Sequence, residues 1–246
     1  MTAPTPPRGI LWALGLGPGD PGLVTVRAAE LLRSAPVVAF PVDAKGDPGR
    51  AFQIAESYLA ADAIRLPLEM PMTSDESRLR AAWDTAVSAI SAHTVAGRDV
   101  AYLCLGDTLL YGSFGYLLAR YDGPVEVVPG VISPVAAASV LRQPLVEGRE
   151  PLTIIPDGGD ASVLARALEL GGSVVVMKPS RLNEEGVAAM VEADAVGRAW
   201  VTENVTLPAQ DVYPAAAADL THLPYFSVVT VLAPGRDDEW KDGVER

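Results

Sequence analysis

The chain has 246 residues, 49% hydrophobic and 20% charged, which excludes a disordered polymer and allows one large or two smaller cored domains. Nineteen Lys plus Arg against 31 Asp plus Glu give 19 − 31 = −12, which argues against a broad nucleic-acid face or a polybasic membrane anchor but leaves room for an anionic small ligand in a local basic pocket. One cysteine (Cys104), two distant histidines (His93 and His222), a short polar start and no apolar run near the ~18 residues of a membrane span point to a soluble cytoplasmic protein with no disulfide, metal cluster, signal peptide or membrane segment.

Residues 10–16 form an apolar run that suits a strand buried on both faces of a largely parallel sheet. A Gly/Pro turn follows at 17–22. Residues 25–34 then read as a helix with Val26, Ala29 and Leu31 or Leu32 on one side, stopped by Pro36. Residues 37–40 read as a strand and 50–60 as a helix. The clearest helix is 74–95, where Thr73 and Glu76 suggest a capping box and Leu79, Trp83, Val87 and Ile90 recur at helical spacing. A strand at 99–105, a helix at 112–121 and a strand at 124–128 follow. Ser133-Pro134 has the cap-then-proline order of a helix start, and that helix runs to about Leu141.

This alternation predicts an α/β layer architecture. A second set comprises strands at 152–155, 173–178, 199–205 and 226–233 with helices at 161–170 and 183–192. Pro144, Gly148 and Pro151 mark the join, so an N-terminal α/β domain is expected over 9–143, a C-terminal α/β domain over 144–235 and a charged tail over 236–246.

Three loops rich in small residues follow three apolar strands. The first is Gly15-Leu-Gly-Pro-Gly-Asp-Pro-Gly22. Its glycines can reach positive φ and admit close backbone approach, yet it lacks dinucleotide spacing and no Walker lysine follows. A plain strand-to-helix turn fits it equally well. The second, Gly106-Asp107-Thr108-Leu-Leu-Tyr111-Gly-Ser113-Phe114, offers a carboxylate, hydroxyls and a phenol where open α/β sheets bind ligands. The alternative is that Asp107 or Ser113 merely caps the next helix. The third is Pro129-Gly-Val-Ile132-Ser133, where Ser133 reads first as an N-cap. The three could converge on one crevice. No nucleophile elbow, catalytic triad or paired carboxylates accompany them, which leaves chemistry by placement of two reactive substrates.

In these loops the chain resembles the tetrapyrrole (corrin/porphyrin) methylases, S-adenosylmethionine (SAM)-dependent C-methyltransferases of corrin and sirohaem biosynthesis. The resemblance covers about residues 9–234. Residues 15–21 match the Gly-x-Gly-Pro-Gly-Asp-Pro loop, 106–111 the Gly-Asp-Pro-x-x-Tyr-like loop and 129–133 the Pro-Gly-Val/Ile-Ser-Ser-like loop. Thr108 replaces a frequent Pro, and Pro134 follows Ser133 where a second serine is usual. The subgroup acting at C20 of precorrin-2 resembles this chain further in Met70-Pro71-Met72-Thr73, Val176-Met177-Lys178 and Pro224-Tyr225-Phe226-Ser227.

The resemblance implies two α/β domains with mixed and parallel sheets, SAM in the cleft between them, and a homodimer. It implies SAM contacts from Pro18, Gly106, Asp107, Thr108, Tyr111, Ser113, Phe114, Ile132, Ser133, Ala137, Met177, Tyr225, Phe226, Ser227 and Val228. Taken alone, Met177, Tyr225 and Phe226 would read as core residues. Asp107 and Tyr111 are candidate catalytic groups by location only. Arg8, Lys45, Arg142, Arg149, Lys178 and Arg181 are candidate partners for substrate carboxylates, or solvated surface charges. Competing expectations are another tetrapyrrole methylase, one acting on cobalt-factor II included, and a SAM-binding regulatory protein without turnover.

Overall fold

The computed structural model describes residues 7–235; the tail expected over 236–246 lies outside them. The chain divides into two units, Met1–Ile132 and Ser133–Arg246. The division precedes the Pro/Gly-marked join expected at 143–144, because the helix Ser133–Leu141 packs against the last strand of the second unit.

In the first unit, β1 (Leu11–Gly15), α1 (Val26–Ser34), β2 (Val37–Val42), α2 (Arg50–Ala55), β3 (Ile64–Glu69), α3 (Glu76–Val95), β4 (Val100–Cys104), α4 (Phe114–Leu118) and β5 (Val125–Val128) alternate along the chain. The five strands form one parallel sheet in the order β3-β2-β4-β1-β5. Successive strand residues point to opposite faces, and each face has its own core. Trp12, Leu14, Val38, Phe40 and Leu103 pack with Leu31 and Leu32 of α1 and Ile54 of α2. Leu11, Ala13, Val37, Val100 and Tyr102 pack with Ile90 of α3 and Phe114 and Leu117 of α4. The continuous apolar runs follow from this double burial. A change such as Leu14→Ala would cost about 2–5 kcal/mol.

The second unit comprises α5 (Ser133–Leu141), β6 (Leu152–Ile155), α6 (Ala161–Glu169), β7 (Ser173–Met177), α7 (Glu184–Glu192), β8 (Ala199–Glu203), β9 (Asp211–Pro214) and β10 (Ser227–Val231). Its sheet runs β6-β7-β10-β8-β9, with only β6 and β7 parallel. Val174, Val176, Val201 and Val229 pack with Leu164 and Leu168 of α6 and Met190 of α7. One parallel and one mixed sheet make the expected α/β class.

Several elements differ from expectation. The helix expected over 112–121 shrinks to Phe114–Leu118. Strand β3 was missed because Pro67 and its polar neighbours obscure it, and its edge position tolerates both. Edge strand β9 also escaped notice. In α1, Val26 is 75% exposed and the buried face is Ala28, Ala29, Leu31 and Leu32. Helix α3 is capped by Asp75, whose carboxylate accepts from the Ser77 and Arg78 amides, so no Thr73/Glu76 box forms. Ser133 is the first residue of α5 itself.

Candidate functional site

Strand β1 lies between β4 and β5, so the loops leaving these three parallel strands emerge side by side at one end of the sheet. Such carboxyl ends are where open α/β sheets take ligands. The loops are tied backbone to backbone. Gly17 and Gly106 exchange two hydrogen bonds, the Gly17 amide donating to the Gly106 carbonyl at 3.1 Å and the Gly106 amide to the Gly17 carbonyl at 2.8 Å. Gly130 sits against both neighbours: a Cβ on it would stand 2.1 Å from the Gly106 carbonyl oxygen and 2.7 Å from the Gly15 carbonyl carbon. A Cβ on Gly15 would stand 2.5 Å from the Gly130 nitrogen. No side chain fits either place. At Gly106, with φ of 69°, the position a Cβ would take has no atom within 4 Å, so this backbone borders open space.

Asp107 joins two of the loops. Its Oδ1 accepts from the amides of Leu109 at 2.8 Å and Leu110 at 3.2 Å, and its Oδ2 accepts from the Gly130 amide at 3.0 Å. Burial by itself raises the pKa of this carboxyl. The amides of Gly130, Leu109, Leu110 and Thr108 outweigh burial and hold it below the usual carboxylate range. Ser113 precedes α4 without a side-chain capping bond, so neither residue caps that helix through its side chain.

The other first-unit residues fall into distinct settings. Pro18 is buried in the first loop. Thr108 is 1% exposed, and its hydroxyl has no partner among the described residues. Tyr111 is 42% exposed and has a left-handed backbone, φ 51°, uncommon for a bulky residue and often found where loops hold ligands. Phe114 is fully buried, with its ring 5.6 Å from that of Tyr102, so its side chain belongs to the core. Ile132 is half-buried in the third loop. Cys104, at the end of β4, is buried, which pushes its thiol well above the ordinary range.

In the second unit, Met177 ends β7 and pairs in register with Val228 of β10. Ser227 is buried beside them. Tyr225 and Phe226 are 44% and 38% exposed, with rings 5.0 Å apart edge to face. Ser133 and Ala137 stand one turn apart on α5, Ala137 fully buried.

The expected carboxylate partners scatter. Arg8 precedes β1 at the end of the sheet opposite the three loops, where it pairs with Asp122 at 2.8 Å and donates to Thr94. Arg181 pairs with Asp157 at 3.6 Å. Lys45 is exposed in the loop after β2, at the same sheet end as the glycine loops. Arg142 and Lys178 both have left-handed backbones, and Arg149 is exposed. Gly15 and Gly130, not singled out as site residues from sequence, pack against each other where the three loops meet. The available signal was a glycine at or just past the end of each of these strands. No group of three metal-ligating side chains occurs among the described residues.

The family model for Tetrapyrrole (Corrin/Porphyrin) Methylases matches residues 11–221. The chain is 36% identical over 238 residues to the cobalamin biosynthesis protein CobIJ of Mycobacterium tuberculosis, covering 93% of this chain; it thus spans about half, 46%, of the length of that relative. It is 33% identical to the cobalt-precorrin-2 C(20)-methyltransferase of Salmonella typhimurium, over 91% of this chain and 96% of that one. It is 34% identical to the precorrin-2 C(20)-methyltransferase of Sinorhizobium sp., over 95% and 97%. The uroporphyrin-III C-methyltransferase of Thermus thermophilus, solved with S-adenosylhomocysteine, shares the fold with a TM-score of 0.63 at 20% identity, over 91% and 97% of the two chains.

Proposed function

We propose that this chain, which belongs to the tetrapyrrole (corrin/porphyrin) methylase family, transfers a methyl group from SAM to C20 of precorrin-2, giving precorrin-3A in cobalamin biosynthesis. The supporting observation is the platform at the carboxyl ends of β1, β4 and β5, where glycine backbones pack without side chains and Gly106 borders open space. A bulky cofactor that must lie against main chain suits such a surface, and the adjoining hydroxyl groups of Tyr111 and Ser113 suit its polar ends.

In this reading Pro18, Gly106, Thr108, Tyr111, Ser113 and Ile132 hold the cofactor in the first unit, with Phe114 contributing backbone and Asp107 bonded to the amides of the loops around it. Ser133, Ala137, Met177, Tyr225, Phe226, Ser227 and Val228 are proposed as further contacts. The bound cofactor supplies a methyl already activated by its sulfonium. The protein's own task is placement: its loops orient the two reactants and exclude water, an advantage of several kcal/mol in effective concentration. The many carboxylates of the substrate call for cations, of which Lys45 lies at the loop end of the first sheet. Attack of C20 on the methyl releases S-adenosylhomocysteine and leaves a cationic intermediate whose C20 proton must then leave, with Tyr111 and solvent as candidate acceptors. The protein is proposed to be cytoplasmic and homodimeric; no helix among the described residues is long and apolar enough to cross a membrane.

The Salmonella relative's name favours a second reading, a cobalt-bearing substrate. Incubation with labelled SAM and, side by side, enzymatically made precorrin-2 and cobalt-factor II separates them by mass spectrometry and NMR of the product. Labelled C20 in the metal-free product supports the first reading. Label only in the cobalt product supports the second, and no label in either removes both.

A further inference from the structure

We infer that Asp107 is a positioning residue, whose carboxylate ties the loop after β4 to the loop after β5 and so fixes the backbone surface that holds the cofactor. This rests on the reading of the chain as SAM-dependent. Both carboxylate oxygens are engaged by three amides on two loops, the Leu109 and Leu110 N–H groups on Oδ1 and the Gly130 N–H on Oδ2. The site of that last bond is crowded: Gly130 lies against Gly106 and Gly15 with no room for a Cβ on it. Gly106 precedes Asp107 and carries the paired bonds to Gly17. One carboxylate thus closes a ring of contacts through all three loops.

A proton-carrying role fits the same atoms poorly. A general base works best with a pKa near the operating pH, whereas the surrounding amides favour the ionised form of Asp107 and lower its proton affinity. Hydrogen bonds to a charged acceptor are about twice as strong as neutral ones, which suits a clamp. Asparagine keeps the shape but carries one oxygen and a donor. With its oxygen toward Leu109 and Leu110, its N–H would face the Gly130 N–H.

The test uses the full chain and Asp107→Asn, with wild type alongside. Calorimetry with SAM and no tetrapyrrole is expected to give a Kd raised tenfold or more. Steady-state methylation is expected to give a KM for SAM raised in step, with kcat at saturating SAM within a few-fold of wild type and an unchanged pH profile of kcat. Hydrogen exchange is expected to be faster at Gly130 in the variant, with global Tm little changed. An Asp107→Asn variant that binds SAM as tightly as wild type overturns the inference while the SAM-dependent reading stands. A hundred-fold loss of kcat at unchanged SAM Kd overturns it in favour of proton transfer. Unchanged exchange at Gly130 overturns it even where the methylation assay is compromised by folding yield. A wild-type chain that binds no SAM overturns both.

Discussion

At the residue scale, Gly106 and Gly130 of the platform are not equivalent. Gly130→Ala places a methyl 2.1 Å from the Gly106 carbonyl oxygen, so backbone must move. The expected cost is about 1–3 kcal/mol, as for an overpacked core, together with weakened SAM binding. Gly106→Ala meets no atom and incurs mainly the left-handed penalty at φ 69°, about 1–2 kcal/mol. Its methyl, however, enters the space proposed for the cofactor. Chemical denaturation with SAM calorimetry separates the two: at equal loss of stability, Gly106→Ala is expected to lose more affinity. Thr108 carries a third test. Its buried hydroxyl has no partner among the described residues, and an unsatisfied buried polar group costs about 1–3 kcal/mol. Thr108→Val is therefore expected to raise the denaturation midpoint, and a lower midpoint would show that the hydroxyl is paired in solution.

At the element scale, what was legible followed from burial. Strands buried on both faces stood out as apolar runs: β7, expected over 173–178, spans Ser173–Met177 and buries its first four residues. Edge strands were uneven: β5 and β6 were legible, whereas β9 and β3, which exposes Ile64 and contains Pro67, were not. Capping was partly legible. Thr25, read as the first helical residue, is the N-cap of α1, its hydroxyl accepting from the Ala28 amide at 3.2 Å. Thr25→Ala is expected to cost about 1 kcal/mol in urea denaturation, and an unchanged midpoint would mean that water replaces the bond. Convergence of the three motif loops was legible only as a possibility. The strand order that places β1 between β4 and β5 depends on long-range pairing, which no local pattern encodes. The link from Asp107 to Gly130 spans loops on different strands and was invisible for the same reason.

At the scale of the whole molecule, carboxylates that accept backbone amides link stability to acid. Asp75 is held below its ordinary pKa by the Ser77 hydroxyl and then the Arg78 and Ser77 amides. Asp160 is held there by the Ser162 hydroxyl and then the Val163 amide. A depressed folded pKa contributes stability that is present above the unfolded value near 4 and is lost as pH falls through the folded value. Thermal midpoints are therefore expected to fall as pH drops below about 4, less steeply in an Asp75→Asn, Asp160→Asn double variant. An identical slope would show that these caps are not the linked groups.

The placement account also makes a demand on the two histidines, the side chains that ordinarily titrate near neutrality. His93 lies in the last turn of α3, ahead of the start of β4 and so at the sheet end opposite the glycine loops. Its Nδ1 accepts from Arg98 Nε at 3.2 Å, and burial, reinforced by the Arg98 charge, holds its pKa below the ordinary histidine value. His222 is exposed in the second unit, its Nδ1 2.9 Å from an Asp219 carboxylate oxygen in a local turn. Neither ring belongs to a loop of the proposed site. If methyl transfer depends on placement, replacing both with glutamine leaves kcat within a few-fold of wild type, against the 10²–10⁴-fold that a general acid or base typically contributes. The check is steady-state methylation beside thermal melts and SAM calorimetry on the same double variant. A hundred-fold loss of kcat at unchanged Tm and SAM affinity would mean that an essential proton passes through a histidine, and placement alone would not account for turnover.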